Sequence, residues 1–393
     1  MMNLNFLRLR LDKWIWWGII SFVTVLIFSI AIVQLIVGLL AFLWIAKIAL
    51  TPDYKFVRTP LDYPFIAFVI VRIFSVLFSV DYTASVLTLY KEIPFYIIYF
   101  IITNNLSIDN IDQIKKIIGI MIVAACVASI YGSAKVILGF EERASSSTSG
   151  YSTLGMFLAV VISFTLWLGK NKELFPSRWL WSLSLLIMGG GLLLTLNRTH
   201  WGVVGIILLV IGLLRERIAL LVTLGFSGLA IGFIPSISNR FYQMIHFMEY
   251  TSGRNVIWQG ALMKFTERPI FGFGPRTFEQ IFPLRNQLED KLIASWHNDF
   301  LQVYMESGLF ALFAFLWIIA AIYYYGFKIV RLKEIDLFYK EITVAILLGM
   351  SAFFLTGFVG GFIIDPITSL LFRFLLGILA LTSIKTIKKV KAD

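Results

Sequence analysis

Apolar runs about as long as a bilayer core is thick recur along this 393-residue chain, separated by short turns. They are interrupted once, by a polar stretch from Ser236 to Trp296. A segment in hydrocarbon must satisfy its own backbone N–H and C=O groups, so runs of about 20 residues are buried as helices. The composition agrees: 59% of residues are hydrophobic and 15% charged, against about a quarter charged in soluble domains. The expected fold class is therefore all-α, a polytopic integral membrane protein with about twelve spans and one large external helical loop. The spans fall near 14–31, 33–50, 63–80, 86–104, 116–138, 151–169, 179–196, 200–214, 217–235, 308–327, 342–359 and 366–384. This divides the chain into residues 1–235 with nine spans, a loop at 236–307, and residues 308–393 with three spans and a basic tail.

Basic residues orient the spans. Arg8, Arg10 and Lys13 precede a first run too long for a signal peptide and without a small-residue cleavage site. With that end inside, every inside loop carries at least two Lys or Arg, down to Lys385, Lys388, Lys389 and Lys391 in the tail. Both termini are then cytoplasmic and the large loop is external. The net charge of +11 lies largely in these short loops, so it reads as orientation and not as a nucleic-acid surface. Cys126 is the only cysteine, which excludes an intrachain disulfide and a Cys-based metal site.

Several polar residues run against the membrane pattern. Arg72 and Arg373 fall within spans, where an arginine costs about 2.5–3.5 kcal/mol on insertion scales. Each is either a structural ion pair or snorkelling group, or a ligand for an anion in an outward-opening cavity. Arg198 and His200 sit in the tight turn between spans seven and eight, as anion ligands or as headgroup contacts beside an interfacial Trp201. His297 opens a helical element that Asn298 or Asp299 can cap; it is either a proton acceptor or an interfacial His bonded to a carbonyl. Residues 254–268, with Arg254 and Trp258, suit an amphipathic helix ended by Pro269. Gly272-Phe273-Gly274-Pro275, just before Arg276, is a tight turn and not a phosphate fingerprint.

The loop carries Arg240, Arg254, Lys264, Arg268, Arg276, Arg285 and Lys291 against Glu249, Glu267, Glu279, Glu289 and Asp290. The preference for Arg over Lys favours bidentate partners such as phosphate. There is no external Asp-x-Asp or His-x-x-x-His, and Asp109 and Asp112 fall on the cytoplasmic side. No metal and no cofactor is expected, and charge on a leaving phosphate must be met by Arg.

Arg254, Trp258, Pro269-Ile270-Phe271-Gly272-Phe273-Gly274, His297-Asn298-Asp299-Phe300-Leu301-Gln302 and Glu306-Ser307-Gly308-Leu309, taken in order, resemble the signature of the O-antigen ligase and O-antigen polymerase superfamily. Asn197-Arg198-Thr199 resembles that family's Ser-Arg turn, and Pro60-Leu61-Asp62-Tyr63-Pro64 its lead-in to the third span. The resemblance implies a metal-independent bacterial membrane glycosyltransferase of the GT-C type. It would act at the periplasmic face of the cytoplasmic (inner) membrane, taking a glycan from undecaprenyl pyrophosphate to an acceptor hydroxyl. It implies Arg198 and Arg254 at the pyrophosphate and His297 at the acceptor hydroxyl. His200, Arg276, Trp258, Asn298, Arg72 and Arg373 are further candidates for lining the substrate site, and the role of His200 stays open because many members of that family have small residues at Thr199-His200. The expected partners are the lipid-linked glycan donor, a lipid A–core or glycan acceptor, and membrane lipids, with no nucleic acid. One dominant loop resembles a ligase more than a polymerase. A transporter of lipid-linked glycan stays open on helix count alone, although no halfway repeat is visible.

Overall fold

The computed structural model describes residues 4–107, 110–215, 217–247, 249–288 and 293–390. Asp109, Glu289, Asp290, Lys291 and Lys391, used in the charge reading, lie outside the described residues. Helices follow one another in the order α1 (Leu4–Val25), α2 (Ile30–Ala49), α3 (Asp62–Leu77), α4 (Tyr82–Asn105), α5 (Ile111–Ile137), α6 (Tyr151–Leu168), α7 (Arg178–Leu194), α8 (Arg198–Leu214) and α9 (Arg217–Phe233). The loop region supplies α10 (Pro235–Ile245), α11 (Arg254–Lys264) and the short α12 (Phe278–Ile281); α13 (Asp299–Arg331), α14 (Leu337–Gly357) and α15 (Pro366–Val390) complete the chain. No strand occurs among the described residues. The protein is an all-helical membrane protein.

A helix covers most of each of the twelve expected apolar segments, but length decides how many can cross a bilayer. Seven of the helices are long and apolar enough: α2, α4, α5, α6, α13, α14 and the part of α15 from Pro366 to Ile384. At 1.5 Å per residue, α3 with 16 residues and α7, α8 and α9 with 17 each are short for a bilayer core. α1 is 22 residues long but carries Arg8, Arg10, Asp12 and Lys13 in its first half. α9 turns into α10 through 108° at Ile234, and the bent pair counts as one further candidate. α6 and α15 are the enclosed centre: α6 packs on α14, α7 and α8, and α15 on α4 and α13. Nearly every residue of α6 is buried, including its polar Ser163 and Thr165, whose hydroxyls donate back to Ala159 and Val161 carbonyls.

The loop region has a small core of its own, in which the fully buried Trp296 meets Phe278 edge-on at 4.8 Å, beside Ile257, Ala261, Phe282 and Tyr304. It docks on α13 at a break. α13 starts at Asp299, nine residues before the expected span, and its path is interrupted at Gly308 (φ 74°, ψ −170°). Backbone pairing across the break explains the turn at 272–275: Phe273 and Gly274 N–H donate to Met305 and Glu306 carbonyls at 2.8 and 2.9 Å, and Leu309 N–H to the Pro269 carbonyl at 2.7 Å. A side chain at Gly308 would collide with the Ile270 carbonyl.

Below the break lies a buried charge network. Arg72, 1% exposed, donates through Nε and Nη2 to Glu92 (3.1 and 2.7 Å) and through Nη1 to Glu306 (2.7 Å). Tyr96 adds its hydroxyl to Glu92 at 2.6 Å. Glu306 also accepts the Arg276 backbone N–H (2.7 Å) and the Gln302 amide (2.6 Å). Arg72 therefore binds the chain's own carboxylates, which is the structural ion pair that was one of its two expected roles. Arg373 is buried between α15 and α4, donates to the Ser369 carbonyl and hydroxyl, and lies over the Tyr96 ring at 5.1 Å.

Removing one partner of a buried pair strands the other, at about 3–5 kcal/mol. Arg72→Leu should therefore lower the unfolding midpoint of detergent-purified protein markedly, with Glu92 and Glu306 left unpaired; a midpoint equal to wild type would refute this account of the network. Gly308→Ala should be comparably damaging, because both its φ and its contact with Ile270 forbid a Cβ. Limited proteolysis of the 254–298 region is the check, and unchanged resistance would show that the loop does not depend on the break.

Candidate active site at the loop end of the bundle

Arg198 is the first residue of α8, reached through a tight turn in which Leu196 has a left-handed φ of 51°. Its guanidinium does not hang in solvent. It donates to the carbonyls of Gln243 (2.8 Å) and Tyr250 (3.0 Å) and to Ser252 Oγ (2.9 Å). These contacts join α8 to α10 and to the turn that follows it. In that turn Ser252 and Gly253 are both left-handed, at φ 56° and 84°, and α11 starts at Arg254 with no capping side chain. The first-turn N–H groups of a helix lack intrahelical partners and favour anions. Asn255 and Val256 of that turn line a cavity of about 480 Å³ together with Arg198, Arg240, Gln243 and Ser252.

α10 separates this cavity from a second space. Arg240 and Gln243 face the polar cavity, with Arg240 Nη1 donating to Gln243 Oε1 at 2.8 Å. Phe241 and Met244, the neighbouring residues, line an almost wholly apolar groove of about 320 Å³ between α7, α8 and α9, with Leu192, Trp201 and Phe226. One amphipathic helix thus carries the boundary between an arginine-lined cavity and a hydrocarbon-like groove.

His297 stands at the start of α13. Its φ of 47° is left-handed, a conformation that a non-glycine residue adopts at some cost and that turns the ring out of the helix path. Asn298 caps the helix as expected, its Oδ1 accepting the Leu301 N–H at 2.9 Å, while its Nδ2 donates to the Phe358 carbonyl at 2.9 Å. Trp296, just before, is fixed by its N–H to Gln302 Oε1 at 2.9 Å. The imidazole is half-buried and, among the described residues, makes no hydrogen bond to the protein. Burial first, and the nearby Arg254 guanidinium second, push it below the ordinary imidazole value, so it is held neutral. Arg254 is itself pressed down by burial first and by Arg198 second. No carboxylate pairs with Arg198, Arg240 or Arg254 among the described residues. Glu249 also lines the cavity and Glu142 acts on Arg240 from a distance, but neither forms an ion pair with these arginines, and the field, positive on balance, suits an anion.

The structure thus brings Arg198, Arg254, His297 and Asn298 to one end of the bundle and leaves the other expected residues elsewhere. His200 lies away from this cluster: it is 2% exposed and faces α6, where a Cβ on Gly155 would lie 2.6 Å from its Nδ1. One and two helical residues beyond Arg198 the chain has already turned into the α6–α8 contact. Arg276 reaches Glu306 through its backbone N–H, and its side chain is exposed. Trp258 is 41% exposed on α11, whereas Trp296 fills the core. Sequence reasoning missed Arg240 as a site residue. Its signal was an arginine three residues before Gln243, on a helix opened by Pro235. It also missed residues 358–365, which look like a mere turn between two apolar runs yet receive both Asn298 and, at the Val359 carbonyl, Arg254 Nε at 2.7 Å.

No curated protein matches the chain. Residues 183–316, which include Arg198, Arg240, Arg254 and His297, match a family model described as O-antigen ligase. Over that stretch, about a third of the chain, it is similar to the O-antigen ligase family.

Proposed function

We propose that the protein is a ligase-type membrane glycosyltransferase. It moves a glycan from undecaprenyl pyrophosphate to an acceptor hydroxyl, such as one on lipid A–core, at the periplasmic face of the bacterial cytoplasmic membrane. The observation that carries this reading is the division of labour on α10. A polyprenyl diphosphate has an apolar tail joined to a dianionic head, and α10 has an apolar groove on one face and an arginine cavity on the other. A transporter substrate could use both spaces, but it would not need an unbonded, neutral His297 beside Arg254. In this reading the short apolar helices and the bent α9–α10 pair complete twelve crossings with both termini cytoplasmic.

Transfer requires the acceptor oxygen to form a bond to the anomeric carbon while that carbon's bond to the diphosphate oxygen breaks. The bonding pair leaves with the diphosphate, and the acceptor's proton goes to the His297 imidazole. Attack from the face opposite the leaving group inverts the anomeric centre. Arg198 and Arg254, with Arg240 and the α11 N-terminus, neutralise the leaving charge without a metal. A ligase is favoured over a polymerase because the Ser-rich segment at 139–150 is tied down: Ser146, Ser147 and Thr148 hydroxyls donate to the Ile27 and Phe28 carbonyls. It offers no second mobile platform for a growing chain.

Purified protein given undecaprenyl-pyrophosphate glycan and lipid A–core should transfer glycan with EDTA present. His297→Ala should lower kcat by about 10²–10⁴, and Arg198→Ala by about 10²–10³. Donor chain extension without core modification would mean polymerase, and absence of any transfer by folded, donor-binding protein would sink the transferase reading. The pH dependence has a definite sign. His297 acts as a base only when neutral, and its value is held below the ordinary 6.5. The acid limb of kcat should therefore fall below pH 6.5, with activity flat above it; a limb centred above 6.5 would contradict His297 as the base.

A further inference from the structure

Residues 358–365, between α14 and α15, are gripped on two faces. On the inner face is Asp299, 0% exposed. Its carboxylate accepts the Phe362 N–H at 2.9 and 3.2 Å and the Ile363 N–H at 3.2 Å. Two glycines let the segment close on it: a Cβ at Gly357 would lie 3.1 Å from Oδ2, and one at Gly361 3.4 Å from Oδ1. On the outer face, the Phe358 and Val359 carbonyls accept Asn298 Nδ2 and Arg254 Nε. The far end is anchored by Asp365, which accepts the Thr368 N–H at 2.9 Å and the Thr153 hydroxyl of α6 at 2.7 Å.

Six consecutive residues thus present N–H groups to one carboxylate and C=O groups to two side chains beside His297. The geometry has a consequence for Arg254. Its Nε is consumed by the loop, and its only other hydrogen bond among the described residues, Nη1 to the Thr251 carbonyl, is long at 3.5 Å. Fixing Nε fixes the plane of the guanidinium and the direction in which its terminal nitrogens point. A buried carboxylate is costly unless hydrogen-bonded, and this one faces backbone donors from a segment with no regular secondary structure. An amide there would turn an NH₂ toward those same N–H groups.

We propose that Asp299 is a positioning residue: by clamping Phe362 and Ile363 it sets the 358–365 loop, and the loop's carbonyls aim Arg254 and Asn298 beside His297. The catalytic part of this inference rests on the transferase reading, but the positioning part does not. Loosening the clamp lets Arg254 drift from His297, and one of the two influences holding the imidazole low is lost.

The test is a histidine titration by NMR on full-length protein carrying ¹³C-labelled histidine, in detergent. The chain has 3 histidines, and the His297 signal is the one that His297→Gln removes. Arg254→Gln should raise the His297 midpoint. Asp299→Asn should raise it toward the same value, and the double variant should go no higher than Arg254→Gln alone. Gly361→Ala, which crowds the carboxylate while keeping it, should shift the midpoint in the same direction by less, and it serves if Asp299→Asn does not fold. In the transfer assay, Asp299→Asn should lower kcat by about 10- to 100-fold with donor KM within about twofold, because misplacement and not lost binding is the defect. A His297 midpoint unmoved in a folded Asp299→Asn or Gly361→Ala protein, or additive shifts in the double variant, overturns the proposal. An inactive wild type would count against the transferase reading alone, since the titration still decides the clamp.

Discussion

Arg72 is the fixed point of the molecule. A guanidinium buried among helices is costly unless its donors are bonded, and Glu92 and Glu306 hold this one from α4 and α13. Because Glu306 belongs to α13 just before the break at Gly308, the same pair fixes where the loop region meets the bundle. Glu306 passes the constraint on to Gln302, Gln302 to the Trp296 N–H, and Trp296 precedes His297. An ion pair deep in the helices is thereby connected, bond by bond, to the imidazole at the surface. Satisfied networks in a low dielectric are rigid, and each bond named here from Arg72 to the Trp296 backbone N–H has its partner.

The site exists because two solvents meet at α10. The 108° bend after α9 takes the chain out of the bundle axis, so α10 presents alternate faces to a groove and a cavity. Arginine stems can cover apolar surface while their heads reach polar ground, which is why Arg240 and Phe241 can be adjacent. Arg198 then ties this helix to α8 through three bonds to α10 and its following turn. The cavity's wall is a backbone scaffold held by one arginine, and its charge comes from the arginines that the scaffold leaves without carboxylates.

The helices were legible in the sequence because hydrocarbon burial imposes length and composition directly. The number of crossings was not, because α3, α7, α8 and α9 are apolar but short, and apolarity alone cannot tell a span from a partial one. Arg198, Arg254, Asn298 and His297 were legible because each stands where a polar residue interrupts or opens a helical pattern. Arg72 and Arg373 stayed open between a structural and a ligand role for a physical reason: their partners, Glu92 and Glu306 for one and Ser369 with Tyr96 for the other, lie on other helices or one turn away. A sequence shows the unfavourable charge but not its compensation. His200 lies close to Arg198 in sequence but not in direction, since two residues along a helix rotate a side chain by about 200° at 3.6 residues per turn.

The candidate residues share one structural address. Arg198 opens α8, Arg254 opens α11, and His297 sits one residue before the cap of α13. Three helix N-termini therefore converge on the loop end of the bundle, and each carries about half a positive charge on its free N–H groups. Those partial charges add to the arginines in attracting a diphosphate, and they act against protonation of His297 as Arg254 does. The same field that binds a leaving anion keeps the base unprotonated, so the two halves of the proposed chemistry need no separate device. Such an arrangement requires that the three helix starts be held in place without ion pairs that would cancel the arginines. The protein meets this by using backbone carbonyls, from Gln243, Tyr250, Val359 and Phe358, as the acceptors for its site arginines and asparagine. A carbonyl fixes a donor's direction while leaving its charge uncancelled, and this is what an anion site built from arginine requires.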